Sequence, residues 1–150
     1  MNNLYTKYIN NCNNIDSYYQ NLVSLTKNHY YVGSTNEWIL DNYYLVVEHK
    51  NVIKKDFKED KKLKTLIESN GEMYKILVDI FNKHNYNIDI HSLIKELNNY
   101  QDKNDAYFSY GTIRVIPYIM TMIITGELND LCVKKEKKQQ DVYLIRIICL

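Results

Sequence analysis

The stretch Ser34-Thr35-Asn36-Glu37-Trp38-Ile39-Leu40-Asp41-Asn42-Tyr43-Tyr44-Leu45-Val46-Val47-Glu48-His49 decides the fold class. Ser34 followed three residues later by Glu37 is a capping-box pattern, in which each side chain satisfies a backbone N–H that the first helical turn leaves without a partner. Trp38, Leu45 and Val52 then recur every seven residues, and Ile39, Val46 and Ile53 lie beside them. Together they make one apolar stripe of an α-helix predicted from Thr35 to about Phe57. Glu37, Asp41, Tyr44, Glu48, Asn51 and Lys55 fall on the opposite, solvated face.

The same period continues on both sides. Leu4, Tyr8, Ile9 and Cys12, then Tyr18, Leu22 and Leu25, predict two short helices broken near Asn13–Asp16, with Gly33 as the C-cap of the second. Residues 54–64 form a charge-dense turn. Their mixed signs argue for a solvated helix end over a phosphate- or lipid-binding patch. Ser69-Asn70-Gly71-Glu72 repeats the capping-box pattern ahead of a helix with Met73, Ile76, Leu77 and Ile80 inward. Asp89 is placed to cap the next helix, whose inward residues are Ile90, Leu93, Ile94 and Leu97, and Tyr100–Tyr107 reads as a polar connection. From Ser109 the helical period returns through Ile113, Ile116, Met120, Ile123, Ile124, Leu128 and Leu131. Pro117 either kinks this helix or marks its first turn. Strand-like alternation is scarce, so the expectation is all-α: an irregular bundle of about six helices.

Composition sets the outer limits. The chain of 150 residues is 45% hydrophobic and 25% charged. That is the apolar mass of one globular domain and does not match a disordered composition. Four Gly and one Pro exclude collagen-like and Pro-rich classes. Nineteen basic against eighteen acidic residues leave a net charge of +1, which provides no global field for nucleic acid. The fifteen tyrosines fit amphipathic helix surfaces, apolar body inward and hydroxyl outward. Cys12, Cys132 and Cys149 form no CxxC pair, which suits a reducing cytoplasm. The longest apolar stretch, Ile113 to Ile124, falls short of a membrane-spanning helix. Such a helix needs roughly 20 residues.

Chemistry-bearing motifs are scarce. His29, His49, His84 and His91 form neither HExxH nor an HxH cluster, and no metal or cofactor site is expected. GxxxxGK[ST], GxGxxG and GxSxG patterns are absent, and the cysteines lack a patterned His partner. Asp41 and Glu48 share one helix face about 10 Å apart by helical rise, but opposite the apolar stripe, which favours a solvated or interface role over a catalytic carboxylate pair. Asn42 and His49 lie on the Trp38 side of the helix. Polar groups there require partners, supplied either by a neighbouring helix or by a domain outside this chain.

Glu37-Trp38-Ile39-Leu40-Asp41-Asn42-Tyr43-Tyr44-Leu45-Val46-Val47-Glu48 resembles the Glu-Trp-Leu-Leu-Asp-Asn segment, continued by aromatic and aliphatic residues and a Glu, near the start of cyclic β-1,2-glucan synthases and their large glucoamylase- and phosphorylase-like relatives. Farther on, Gly111-Thr112-Ile113-Arg114-Val115-Ile116-Pro117 resembles that family's Gly-Glu-Leu-Trp-Ala-Leu-Pro segment, with Thr112 and Arg114 in place of its Glu and Trp. The resemblance covers about residues 34–131. It implies a family-like helical domain there, an N-terminal helical extension over 1–33, and a charged then apolar tail over 132–150. Family members are very long chains, and the membrane-embedded ones use a nucleotide-sugar donor to build β-1,2-glucan, which a C-terminal phosphorylase-like region trims. The matched region lies ahead of their catalytic domains, and none of their catalytic residues has a counterpart here.

The resulting expectation is a non-catalytic N-terminal helical module of a glucan synthase-like or glycoside phosphorylase-like protein, with a scaffolding or interdomain packing role. Its partners would be downstream domains of a longer parent chain, with no nucleic acid. The alternative is a stand-alone helical interaction module. Structural or interface roles fall to Trp38, Asp41, Asn42, Glu48, His49, Gly111 and Pro117, and the helix from Thr35 is expected to pack on the helix after Gly111. The apolar ending Val142–Leu150 points to a piece of something longer, and to a segment that either folds back on an open surface or drives self-association.

Overall fold

A computed structural model describes residues 3–134. These form α1 (Leu4–Lys27), α2 (Ser34–Glu59), α3 (Leu63–Glu68), α4 (Gly71–Lys83), α5 (Ile90–Asn104) and α6 (Tyr110–Lys134). The fold is all-α, and no strand occurs among the described residues. The expectations for residues 135–150, including the apolar Val142–Leu150, lie outside the described residues.

The number of helices agrees with expectation, but their division differs. α1 is continuous through Asn13–Asp16, where the pattern predicts a break. Two Asn in succession disfavour a helix. Here Ile15 is fully buried in the core and Asp16 accepts a hydrogen bond from the Tyr43 hydroxyl, so tertiary contacts override the propensity. The extra helix is α3, a short turn of chain inside what reads as a charged loop. Leu63 and Ile67 anchor it in the core. α5 runs on to Asn104, into the segment read as a connection, and residues 132–134 continue α6 rather than beginning the tail.

Neither capping box forms. α2 starts after Gly33, which takes the N-cap position at φ 88° and offers no side chain. α1 instead ends through His29 at φ 63°, with Tyr30 N–H donating to Leu25 O at 3.1 Å. A left-handed residue of this kind commonly closes a helix. At the second site, Ser69 Oγ and Asn70 Nδ2 turn back to Leu66 O at 2.9 and 2.7 Å, closing α3 instead of opening α4. The side-chain caps that do form are on other helices. Asn3 Oδ1 accepts from Thr6 N at 3.0 Å. Asp89 Oδ1 accepts from Ser92 N at 2.8 Å. Ser109 Oγ accepts from Thr112 N at 3.1 Å. Each satisfies a donor that the first turn would leave open.

α6 is the spine of the fold. It packs most extensively on α1, then on α4 and α3, and meets α2 at fewer points. α1, within the segment read as an extension, packs into the main core: Leu4, Tyr8, Cys12, Ile15 and Leu22 join Val115, Ile119, Ile124 and Leu128 in one cluster. Glu68 ties α3 to the start of α1 by accepting from the Leu4 and Tyr5 N–H groups at 3.1 Å each. It caps α1 from far along the chain, a signal that no local pattern carries.

Candidate functional site

α5 carries its apolar residues at the i, i+3, i+4, i+7 spacing of a helix that buries one face: Ile90, Leu93, Ile94 and Leu97. Only Leu93 is buried; Ile90 and Ile94 are 39% and 49% exposed. The same departure occurs across from it. Val52 of α2 is 49% exposed and Ile113 of α6 is 52% exposed, although both lie on stripes read as inward-facing. These residues line one groove of about 650 Å³ between the second half of α2, α5 and the first half of α6. Its floor is the buried set Ile53, Leu93, Met120 and Ile124.

The α2 stripe divides at its second half, where α5 does not reach over the Val52 side of the helix. The row Ile39, Val46, Ile53 stays against the core, while in the neighbouring row Trp38 is half-buried, Leu45 is buried and Val52 is exposed at the groove.

Polar contacts hold the rim. The Tyr118 hydroxyl donates to Asp56 Oδ2 at 2.7 Å, and Arg114 Nη2 donates to Asp60 Oδ2 at 2.6 Å. These two bonds and the Phe57–Tyr118 ring contact, with centroids 6.5 Å apart, are where the helix from Ser34 meets the helix after Gly111. Burial and the neighbouring Asp56 carboxylate push the Tyr118 hydroxyl up to about 12. Both disfavour the phenolate. The Arg114 guanidinium and the Lys62 backbone N–H hold Asp60 below the usual carboxylate range. Pro117 lies inside α6 on the groove wall. It lacks the N–H that would bond the Ile113 carbonyl. Thr121 Oγ1 donates to Pro117 O at 3.0 Å.

The structure does not gather the sequence-predicted interface residues into one site. His49 and Pro117 line the groove. Asp41 and Glu48 are exposed on the far face of α2. Asn42 Nδ2 donates to Trp38 O at 2.8 Å, within its own helix, so it does not fix register against a neighbour. No hydrogen bond of the His49 ring occurs among the described residues, so that ring does not tie α2 to another helix either. Trp38 is half-buried rather than sealed, and its Nε1 is buried without a partner among the described residues. A Cβ on Gly111 would meet Leu66 Cδ1 at 3.4 Å, the near limit of ordinary contact, so this glycine sits close to α3 rather than at the groove. Sequence reasoning missed Ile94, Ile113 and Val52 as site residues because they fit the apolar pattern of a core. Only the absence of a helix over them among the described residues distinguishes their role.

A second cleft of about 190 Å³ lies between α1, α4 and α6, lined in part by Lys7, Tyr86, Glu127 and Asp130. Burial, with the charges of Glu127, Tyr74 and Asp130, pushes the Tyr86 hydroxyl up to about 12. On α4 and α5, Lys83 Nζ and His84 Nε2 converge on Glu96 Oε1 at 2.8 and 3.1 Å and hold that carboxyl below its ordinary value. Among the described residues there is no group of three or more His, Cys, Asp or Glu side chains able to hold a metal ion, and no helix is long and apolar enough to cross a membrane. No family model, curated protein or solved structure matches the chain, so its own geometry and the resemblance noted above are what a functional reading rests on.

Proposed function

We propose that this protein is a non-catalytic helical module that packs against an apolar polypeptide segment through the α2–α5–α6 groove. One observation carries the reading: four aliphatic side chains from three helices, Val52, Ile90, Ile94 and Ile113, stand open in a single groove over a buried floor. A groove of this kind receives the apolar face of a helix through anchors spaced at i, i+3, i+4 and i+7.

The resemblance of residues 37–48 and 111–117 to glucan synthase-type chains makes a downstream domain of such a parent protein the source of the docked segment. A stand-alone interaction module would use the same groove for a separate partner. The test is fluorescence anisotropy of a labelled amphipathic leucine–lysine helix, titrated in excess onto the full chain and onto Ile94→Asp and Ile113→Asp variants. The natural chain should bind and the variants should lose most of that binding while keeping their helical circular dichroism. Equal binding by all three, or none by any, sinks the reading. Turnover of nucleotide-glucose, glucose 1-phosphate or β-glucan oligomers that survives repurification would also remove it.

A further inference from the structure

We infer that the cleft between α1, α4 and α6 is a binding site for a small zwitterion, an α-amino acid with a short apolar side chain. This cleft shares no lining residue with the α2–α5–α6 groove. Opposite charges line it without meeting. Lys7 comes from α1, Glu127 and Asp130 come from α6, and no ion pair joins Lys7 to either carboxylate among the described residues. A cavity of about 190 Å³ with one basic and one acidic side fits a molecule that carries both charges. A simple cation would face Lys7 unpaired, and a simple anion would face two carboxylates, so the lining selects against both.

The uncharged groups repeat this division. Asn11 lies one turn after Lys7, and its Oδ1 accepts from Asn129 Nδ2 at 3.2 Å. That contact leaves Asn11 Nδ2 directed at α6, where a Cβ on Gly126 would meet it at 3.4 Å. α1 therefore offers a carboxylate two donors, the Lys7 ammonium and the Asn11 amide. Tyr86 follows α4 in a left-handed conformation, φ 60°, with its ring stacked on Phe81 at 5.6 Å between centroids. Besides burial, the charges of Glu127, Tyr74 and Asp130 act on its hydroxyl, which places the phenol on the acidic side. The oxygens there are acceptors for an ammonium group. Gly126 lines the cleft from inside α6. Glycine is a poor helix former, and here the missing Cβ leaves cleft space open. Leu4, Met122 and Ile123 are buried in the lining and give a short side chain its apolar contact.

The Tyr8 hydroxyl points to a ligand independently of the charges. Tyr8 lines the cleft and is 1% exposed, and its hydroxyl is buried with no hydrogen-bond partner. The Cys12 thiol acts on it from one turn along α1. A thiol is only a weak hydrogen-bonding group. Buried hydroxyls are nearly always bonded, and the ammonium or carboxylate of a ligand in the cleft supplies the bond that the chain does not.

The test is isothermal titration calorimetry on the full chain with L-valine, and with isobutylamine and isovalerate, which are valine without its carboxylate and without its ammonium. L-valine should bind saturably, and each single-charge counterpart should bind about ten-fold or more weaker, as loss of one charge-assisted contact requires. Lys7→Met and Asp130→Asn change exposed positions. Each should weaken L-valine by about ten-fold while helical circular dichroism and thermal midpoint stay as in the natural chain. Tyr8→Phe should weaken L-valine without lowering stability, because the hydroxyl it removes has no partner in the fold. Ile94→Asp, in the other groove, should bind L-valine as the natural chain does. Absence of saturable binding at millimolar L-valine overturns the inference. So does equal binding of either counterpart, or L-valine binding that is indifferent to both Lys7→Met and Asp130→Asn.

Discussion

The Tyr118 hydroxyl and the Asp56 carboxylate, 2.7 Å apart, join α6 to α2 at the middle of the groove wall. The bond joins the helices on which the segments 37–48 and 111–117 lie, although neither residue belongs to those segments. Four residues nearer the start of α6, Arg114 adds its contact to Asp60 at 2.6 Å. The groove therefore has one wall braced by polar bonds and an opposite wall, α5, whose apolar face is left open.

Alkaline pH should loosen this brace. The folded-state value of Tyr118, about 12, is raised. The ordinary tyrosine value is about 10. A group whose folded value is raised contributes stability that is fully present below its unfolded value and is lost as pH rises through the folded one. Stability should therefore fall between about pH 10 and 12, and the fall should be smaller in Tyr118→Phe. Denaturant midpoints measured across that range for the two proteins check this. Identical alkaline limbs would contradict it.

The caps should separate cleanly by mutation. Ser109→Ala removes the acceptor for the Thr112 N–H. It should cost about 1 kcal/mol, the usual value for a Ser cap. Ser34→Ala removes no cap, because Gly33 holds that position. It should change stability by less than about 0.5 kcal/mol, as surface substitutions away from such features do. Urea unfolding of the two variants gives the comparison, and a larger loss for Ser34→Ala would reverse it.

Core and groove should respond unequally to truncation. Leu77 and Ile119 are fully buried. Leu77→Ala or Ile119→Ala should cost about 2–5 kcal/mol. Val52→Ala and Ile113→Ala remove exposed atoms. They should cost less than about 1 kcal/mol unless another segment covers them. Thermal denaturation of the four variants measures the contrast, and losses at Val52 and Ile113 that approach core values would mean that the groove is closed in solution.

Trp38 should matter less than a sealed indole. Trp38→Ala should cost less than the roughly 3–5 kcal/mol typical of a fully buried large aromatic. The reason is that part of its surface stays in contact with solvent. Trp38→Phe should come out close to neutral. It removes a buried, unpartnered N–H. Desolvation of such a group opposes folding by about 1–3 kcal/mol, and that gain offsets lost ring contact. A Trp38→Phe loss equal to that of Trp38→Ala would place a bonding partner on Nε1.

Helical class, the run of α2, the inward residues of α4 and the cap at Asp89 are legible in the sequence alone. They rest on interactions between residues three or four apart, which a linear pattern records. The continuity of α1 is not legible, because it depends on Ile15 and Asp16 meeting residues from elsewhere in the chain. α3 is masked by its lysines, since the deciding contacts of Leu63 and Ile67 are tertiary. The capping boxes fail because Gly33 takes the N-cap position ahead of Ser34, and Ser69 Oγ donates to Leu66 O. Asn36 accepts from the Tyr18 hydroxyl at 2.7 Å, and Asn70 accepts from Thr112 Oγ1 at 2.8 Å, so polar residues at those helix starts serve neighbouring helices. The groove is the clearest case. A heptad of apolar residues states which side of α5 seeks burial, but whether another helix reaches that side depends on how many helices the chain has and where their packing angles place them. Here α6 is engaged by α1, α4 and α3, and no described helix remains to cover Ile90 and Ile94.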